Sequence, residues 1–573
     1  MIKGRALSRL ADLVVTHGWH DGVCAFINSC NPTEKEPFFQ NLSFGAQAAW
    51  TLWVGRTNQD KVLNFDFGIG TTTVALSYLF RHVMGVFRDE ASSTCARLHA
   101  NYEGRSNVKV LVSTDLEQGI FQNSAFDLIC LSDFPAWLGE NEKDLQKLLD
   151  FLGSIFRLLA PGGMVYLGVK DVSLLSSVGV NHLWLRKRWL TSFLKKNKIC
   201  VLGKLRFYPA LGPIEMVFEV KTQRSWALWL RSNVQKMLRG ESYGLILSKS
   251  WSSSPLGIIG DIASQNEVAI SDGSDITVQV GTASTLVAKL PGRIVRFPLN
   301  ARALSRGKIN FQTLAQINVK GKVAIPISCK SGHFGDWYYF VESKLSGYEP
   351  AGRKRWSWKS DTITAQAFKY LVQLHGSTAQ KVILDDMLFE ELVGVPMKNL
   401  CGYSQSADQE IFVEAGALLK ERLLGKEAVL VRTHGDYKRT NLLVDRKGKV
   451  VGVIDWDLSR ESGFPFLDLL WYLSYEMCLE QSIPFHQAIV QMAFEEDLSM
   501  NYWVQSYWQD LSLGQSERQE IYASILLLYL FCEHQDHWHK ADKEWSSHIM
   551  MPALRFAFKK ALGVSGGPKN LPS

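Results

Sequence analysis

The stretch KVLNFDFGIGTTTVALSYLF, residues 61–80, does most to limit what this chain can fold into. It reads as a buried strand, a glycine-rich turn and an amphipathic helix, and the segments after it repeat the alternation. HVMGVF is strand-like, SSTCARLHANY helical, VKVLVSTD and FDLICLSD strand-like. LQKLLDFLGSIFRLLA has a helical 3.6-residue period, ends at Pro161-Gly162-Gly163, and precedes the strand MVYLGV. Strands alternating with helices predict an α/β doubly wound parallel sheet, with ligands at the carboxyl ends of the strands. Gly68 and Gly70 would let the backbone approach a ligand closely beside a helix N-terminus. The dinucleotide fingerprint GxGxxG is not met, because Thr73 stands in place of its third glycine.

Asp66-Phe67-Gly68-Ile69-Gly70, FDLICLSD and LLAPGG, in that order over roughly residues 40–170, resemble the class I S-adenosylmethionine-dependent methyltransferases. The resemblance implies a Rossmann-like domain with S-adenosylmethionine as cofactor, held around Asp66, Gly68 and Gly70. It places Asp115, in VSTDLEQ, near the adenine. The family expects an acid at the end of the second strand for the ribose hydroxyls. Here Phe87 stands there, and Asp89 or Glu90 is the expected substitute; Thr72 replaces a frequent third glycine. Methyl transfer chiefly needs alignment of nucleophile and methyl carbon. For a hydroxyl acceptor Asp133 is a candidate base, against the plainer reading of a loop carboxylate.

Residues 172–245 lose the strand–helix rhythm and carry Arg186-Lys187-Arg188 and Lys195-Lys196-Asn197-Lys198 among Trp184, Trp189 and Phe193. Basic residues between aromatics can grip phosphate or nucleic acid, but a solvated helix face over a buried aromatic stripe is the favoured reading. SKSWSSSPLG, at 248–257, is the expected linker. Beyond it come short β-rich runs, EVAISD, ITVQVGTASTLVAKL and RIVRFPL, the last two forming a hairpin over the turn Pro291-Gly292. The small-residue loop Gly281-Thr282-Ala283-Ser284 suits a nucleotide-covering turn, and WYYFVESKLSG reads as the last strand and hinge of a small β-rich lobe. The rest is mostly helical, as in TAQAFKYLVQLHG, IFVEAGALLKERLLG and LDLLWYLSYEMCLEQ.

Within that helical part, THGDYKRTN places Asn441 five residues after Asp436, and NLLVD, a turn at Arg446-Lys447-Gly448 and KVVGVIDWD deliver Asp455 on a hairpin. A carboxylate that orients an acceptor hydroxyl, followed by an amide oxygen and a second carboxylate for Mg²⁺, is the residue set that phosphoryl transfer from ATP requires. HGDxxxxNLL followed by VIDWD resembles the aminoglycoside phosphotransferase and choline kinase group over roughly residues 260–560. The resemblance implies an α+β two-lobed, protein-kinase-like fold with Asp436 as catalytic base, Asn441 and Asp455 as magnesium ligands, and Asp468 bracing the loop. In the small lobe it implies ATP phosphates near Gly281, Ser284 and Arg296. Arg296 occupies the position of that fold's phosphate-binding Lys, with Lys289 as a fallback, and Asn310 stands where a Glu partner is expected.

A chain of 573 residues is too long for one core. The expected organisation is a methyltransferase-like domain at 1–247 with a variable tail at 172–247, a linker at 248–258, a small lobe at 259–345 and a helical large lobe at 346–573. Nine scattered cysteines without a CxxC pair argue against a disulfide framework or a zinc cluster. His534, His537 and His539 have metal-compatible spacing, but a polar helix end is the favoured reading. GRKRWSWK, at 352–359, reads as a Trp-anchored solvated loop ahead of an anionic or sugar contact. The net charge of +7 is too mild for a nucleic-acid footprint, and the longest apolar run, ILLLYLF, is too short for a transmembrane segment. The start MIKGRALSRLADLVV lacks a signal-peptide pattern, so a cytoplasmic protein is expected. These features predict a bifunctional transferase using S-adenosylmethionine, ATP and Mg²⁺ on a small-molecule, sugar or glycolipid hydroxyl, and surface-polysaccharide precursors fit by analogy. The alternatives are an active methyltransferase with a binding-only kinase-like module, and a non-catalytic scaffold.

Overall fold

The computed structural model describes residues 5–30, 50–54, 61–66, 68–113, 121, 126–131, 145–169, 194–208, 215–219, 242–248, 257–269, 275–280, 285–299, 301–317, 324–334, 337–350, 362–403, 406–494, 502–511, 519–535 and 551–561. The chain divides into two compact units, Met1–Leu304 with Cys329–Lys344, and Ser305–Ser328 with Leu345–Ser573. The described cysteines are free thiols, and no helix among the described residues is long and apolar enough to cross a membrane.

The first unit is built on a sheet that starts with β1 (Lys61–Phe65), β2 (His82–Phe87), β3 (Val108–Val112), β4 (Phe126–Leu131) and β5 (Leu159–Val169). Helices Thr71–Ser77, Glu90–Tyr102 and Leu145–Arg157 stand between these strands. β1 pairs in parallel with β2 and β4, β2 with β3, and β4 with β5. The resulting order β5-β4-β1-β2-β3 is the expected doubly wound sheet. Its strand order reverses between β1 and β4, which puts the ligand crevice at the carboxyl end of β1. Alternate residues serve the two faces: Val62, Leu128 and Met164 enter one core, while Leu63, Phe65, Ile129 and Val165 enter another. Burial on both faces is why these strands read as continuous apolar runs.

Several segments differ from their sequence pattern. Pro161-Gly162-Gly163 does not precede a strand but lies inside β5. Phe126 faces Leu159 while Leu128 faces Met164, so the segment between them bulges, with Gly162 at φ 78°. Residues 200–248 supply three strands, β6 (Cys200–Tyr208), β7 (Glu215–Glu219) and β8 (Ser242–Ser248). β8 pairs with β5 and β6, and β6 with β7, all antiparallel. Antiparallel neighbours need no crossover helix, so the rhythm that marks a parallel sheet stops there. β9 (Asp275–Val280) then pairs with β7, and β10 (Thr285–Leu290), β11 (Arg293–Pro298), β12 (Ser328–Phe334) and β13 (Trp337–Ser343) extend the sheet to thirteen strands among the described residues. EVAISD begins as a turn: Val268 N donates to Ala263 O, closing the helix Gly257–Gln265. β12, in SCKSGHF, is mostly exposed at the sheet edge, where apolar alternation is not required. Lys195-Lys196-Asn197-Lys198 is exposed, in keeping with a solvated surface, whereas Arg186–Arg188 and GRKRWSWK lie outside the described residues.

The second unit is mainly helical around one apolar core. Its short strands are β14 (Gln380–Ile383), β15 (Glu427–Thr433) and β18 (Arg460–Gly463) in one sheet, and β16 (Leu442–Val444) with β17 (Val450–Val453) as a hairpin. The helix Phe466–Gln481 is buried on nearly all sides over its first eight residues. A helix apolar all round belongs inside a domain, and here it forms the floor beneath the segment that follows β15.

Candidate functional site

In the first unit, the loop after β1 is organised by Asp66. Its Oδ1 accepts from Gly68 N at 3.0 Å, and its Oδ2 accepts from Thr73 N at 3.2 Å, Thr73 Oγ1 at 2.8 Å and Asn64 Nδ2 at 3.1 Å. The threonine that breaks the dinucleotide fingerprint therefore anchors the acid and shapes the loop. Gly70 has φ 83°, and a Cβ there would lie 2.6 Å from Ala96 Cα on the helix Glu90–Tyr102. Its glycine is required by helix packing as well as by backbone conformation. Asp89 is exposed two residues beyond β2 and caps that helix, accepting from Ser92 N at 2.7 Å and Ser92 Oγ at 2.8 Å. Asp66, Gly68, Gly70 and Asp89 thus gather at the carboxyl ends of β1 and β2, while Asp115 and Asp133 lie outside the described residues.

Gly70→Ala is expected to destabilise this region by about 1–3 kcal/mol through overlap with Ala96 and a left-handed φ. It should also weaken binding of S-adenosylhomocysteine. Calorimetric titration and a thermal melt of the variant would check both.

Also in the first unit, Arg296 lies on β11 opposite Val287 and Phe340, and its Nε donates to Glu342 Oε1 on β13 at 3.1 Å. Its carboxylate partner therefore comes from the neighbouring strand. Gly281 and Ser284 lie outside the described residues.

In the second unit, nearly every residue of THGDYKRTN has a defined task. His434 is fully buried; its Nδ1 accepts from Asp436 N at 3.3 Å, and its Nε2 donates to Ile454 O at 3.0 Å. Burial pushes this imidazole below its ordinary value, against the pull of Asp468 and Asp436, and the neutral tautomer suits both bonds. Gly435 has φ 82°, and a Cβ there would meet the carbonyl of Leu458. Tyr437 points into the core and donates to Ala367 O at 2.8 Å. Arg439 and Glu476 form a buried two-pronged ion pair, with contacts of 3.0 Å from Nε and 2.8 Å from Nη2. Asp468 accepts from His434 N at 2.6 Å, Gly435 N at 2.8 Å and His375 Nε2 at 3.1 Å, and so braces the loop.

These anchors leave Asp436 in a particular state. Its Oδ2 accepts from Lys438 Nζ at 2.6 Å and Asn441 Nδ2 at 3.0 Å, whereas its buried Oδ1 has no hydrogen-bond partner. Burial pushes the carboxyl above its ordinary value, with Lys438 opposing and Asp455 adding to the rise. Asn441 Nδ2 also donates to Asp436 O at 2.8 Å. Because both of those neighbours are acceptors, the amide nitrogen must face them, and the amide oxygen is turned the other way. Asp455 follows β17 with φ 71° and acts electrostatically on Asp436, Lys438 and His434. An amide oxygen and a carboxylate are hard donors that fit Mg²⁺. Among the described residues no group of three or more His, Cys, Asp or Glu could hold a metal ion unaided. A magnesium ion with few protein ligands draws the rest from phosphate and water. His537 and His539 lie outside the described residues.

Lys438, His434, Arg439, Glu476 and His375 have no assigned role in the sequence reading. Lys438 could have been noticed from its position two residues after the acid. Glu476 contacts the loop from 37 residues beyond Arg439, and His375 acts on it only through Asp468, 93 residues further along the chain, with no local pattern to mark either.

Residues 268–503 match the family described as Phosphotransferase enzyme family, and residues 63–167 match the Methyltransferase domain. A curated relative, the 23S rRNA (uracil(1939)-C(5))-methyltransferase RlmD of Aeromonas salmonicida, is 32% identical over 137 residues. That match spans 23% of this chain and 28% of the relative's length. Among solved structures, a choline/ethanolamine kinase family protein from Mesorhizobium loti aligns with 16% identity and a TM-score of 0.35, covering 54% of this chain and 94% of its own. WbdD, crystallised with a kinase inhibitor, aligns with 12% identity and a TM-score of 0.22, covering 86% of this chain and 93% of its own. With the geometry of the two loops, the family matches make this chain an N-terminal methyltransferase domain joined to a C-terminal domain of the phosphotransferase enzyme family.

Proposed function

We propose that the chain is a bifunctional transferase that moves a methyl group from S-adenosylmethionine and a phosphoryl group from ATP to hydroxyl acceptors. The observation that carries the second activity is the divided state of Asp436, with Oδ2 held by two donors and Oδ1 buried without one. Oδ1 is then the oxygen that receives the acceptor's proton, and Lys438 holds the carboxylate charged until it does. Asn441 and Asp455 would hold Mg²⁺, which supplies charge neutralisation at the ATP phosphates. Gly281, Ser284 and Arg296 are assigned to the phosphates from the small β-rich lobe. At the other site, Asp66, Gly68 and Gly70 shape the loop that receives the sulfonium donor, with Asp89 toward the ribose and Asp115 toward the adenine. There the protein's contribution is alignment.

The acceptor we assign is a sugar-rich or other polyol molecule, a surface-polysaccharide or glycolipid precursor first among them. Two group-transfer domains in one chain support that reading, since one polyol offers hydroxyls to both. The functional limits follow the sequence boundaries at residues 247, 258 and 345, and the compartment is the cytoplasm. The test is incubation with both cofactors and cell-derived glycans and metabolites, scoring methyl and phosphoryl mass gains together. Absence of both gains would overturn the reading. Pairing of Arg296 with Glu342 favours a second reading, in which the kinase-like part binds nucleotide or acceptor without transfer. A rise in melting temperature with Mg-ATP and no phosphoryl gain would select it.

A further inference from the structure

The helix Ala301–Gln316 carries Arg306, Asn310 and Thr313 four and then three residues apart, on one face, and all three are buried. A buried polar stripe requires partners. Asn310 is 1% exposed, and its Oδ1 accepts from Trp456 N at 3.1 Å. That N–H belongs to the peptide bond directly after Asp455.

Asp455 needs this attention because its φ of 71° lies in the left-handed region. Aspartate tolerates that conformation better than most L-residues, but it still costs free energy that the surrounding contacts must offset. The peptide before it is held by its carbonyl, since His434 Nε2 donates to Ile454 O at 3.0 Å. One peptide further back, Ile454 N donates to Asn441 O at 2.9 Å. The peptide after it receives Asn310. Trp456 itself is fully buried, its ring 4.5 Å from that of His434 and its Nε1 donating to Val453 O at 3.3 Å. With a bond to each flanking peptide, the direction in which the Asp455 side chain leaves the backbone is set.

We propose that Asn310 is a positioning residue for magnesium: its amide oxygen locks the peptide after Asp455 and so ties the helix Ala301–Gln316 to the metal-binding carboxylate. The helix then bears on the site through a neutral backbone contact, in the place where an acidic side chain was expected. This inference rests on the phosphotransferase reading of Asp436, Asn441 and Asp455.

The test uses the full chain and a non-hydrolysable ATP analogue, with Mg²⁺ titrated and binding followed by calorimetry. Asn310→Leu, close in volume but without an acceptor, is expected to raise the Mg²⁺ concentration for half-maximal nucleotide binding by roughly tenfold or more, the order of one lost buried hydrogen bond. Binding of the analogue in EDTA should be unchanged. Thr313→Val, on the same buried face, should leave the Mg²⁺ midpoint unchanged. If the leucine variant does not fold, Asn310→Ala decides by the same criterion. An unaltered midpoint in the Asn310 variant, an equal rise in Thr313→Val, or an equal loss of binding in EDTA would overturn the inference alone. Failure of the unaltered chain to bind the analogue in a Mg²⁺-dependent way would overturn the phosphotransferase reading, and this inference with it.

Discussion

Asp436→Asn is expected to lower phosphoryl transfer about 10²–10⁴-fold, the range of a lost general base. Nucleotide affinity should stay level or improve slightly, because a negative charge is removed from beside the phosphates. The substitution is close to isosteric, and the loop is held by bonds that do not pass through the Asp436 carboxylate. His434 still reaches Ile454 O, Arg439 still pairs with Glu476, and Asp468 still receives two backbone N–H groups. Asn441 keeps its bond to Asp436 O. Single-turnover kinetics with any acceptor found by the mass screen, beside titration of the ATP analogue, separates the two effects. Phosphorylation by the variant at the unaltered rate would remove Asp436 from the mechanism. Methyl transfer should continue unchanged, because Asp66 and its loop belong to the other unit.

Much of the candidate site is legible in the sequence because its parts are contiguous. Asp436 and Asn441 share one short loop, and the β16–β17 hairpin delivers Asp455 with a turn residue pattern of its own. The parallel sheet was legible for a similar reason: doubly buried strands separated by amphipathic helices leave a rhythm that survives any detail of packing. The illegible parts are those whose cause is distant. Nothing near Asn310 announces a bond across 146 residues to Trp456, and Arg296 shows no sign of Glu342 on a strand 46 residues later. β6, β7 and β8 pair antiparallel, so no helix between them signals that they share the sheet of β1. Asp66 could be recognised as a loop acid, but not as one whose oxygens are engaged by Gly68, Thr73 and Asn64. That assignment depends on how the turn closes, and the turn closes through Thr73, where the dinucleotide fingerprint would have a glycine.

Asp468→Asn should produce the largest loss of stability in the second unit, on the order of 3–5 kcal/mol, as expected when a buried charged partner is removed. The carboxylate is 1% exposed and accepts three donors, His434 N, Gly435 N and His375 Nε2. An amide in its place turns an NH₂ group toward at least one of those donors, so a buried donor loses its partner as well. His375 is itself tied at 2.5 Å to the Tyr507 hydroxyl, which donates to Pro465 O, so the imidazole cannot turn away to relieve the mismatch. The effect has a defined pH dependence. Burial pushes the Asp468 carboxyl up, but the bond and charge of His375, joined by the backbone N–H of His434, outweigh it and hold the carboxyl below its ordinary value of 3.8. A carboxyl depressed on folding stabilises fully above its unfolded value, and that contribution fades as pH falls through the folded one. The gap between the unaltered chain and Asp468→Asn in denaturant midpoint should therefore be widest near neutrality and should narrow once the pH drops below 3.8. Denaturation curves followed by tryptophan fluorescence across that range would show it. A gap that stayed constant into acid would mean that Asp468 holds the loop by hydrogen bonding alone, without its charge.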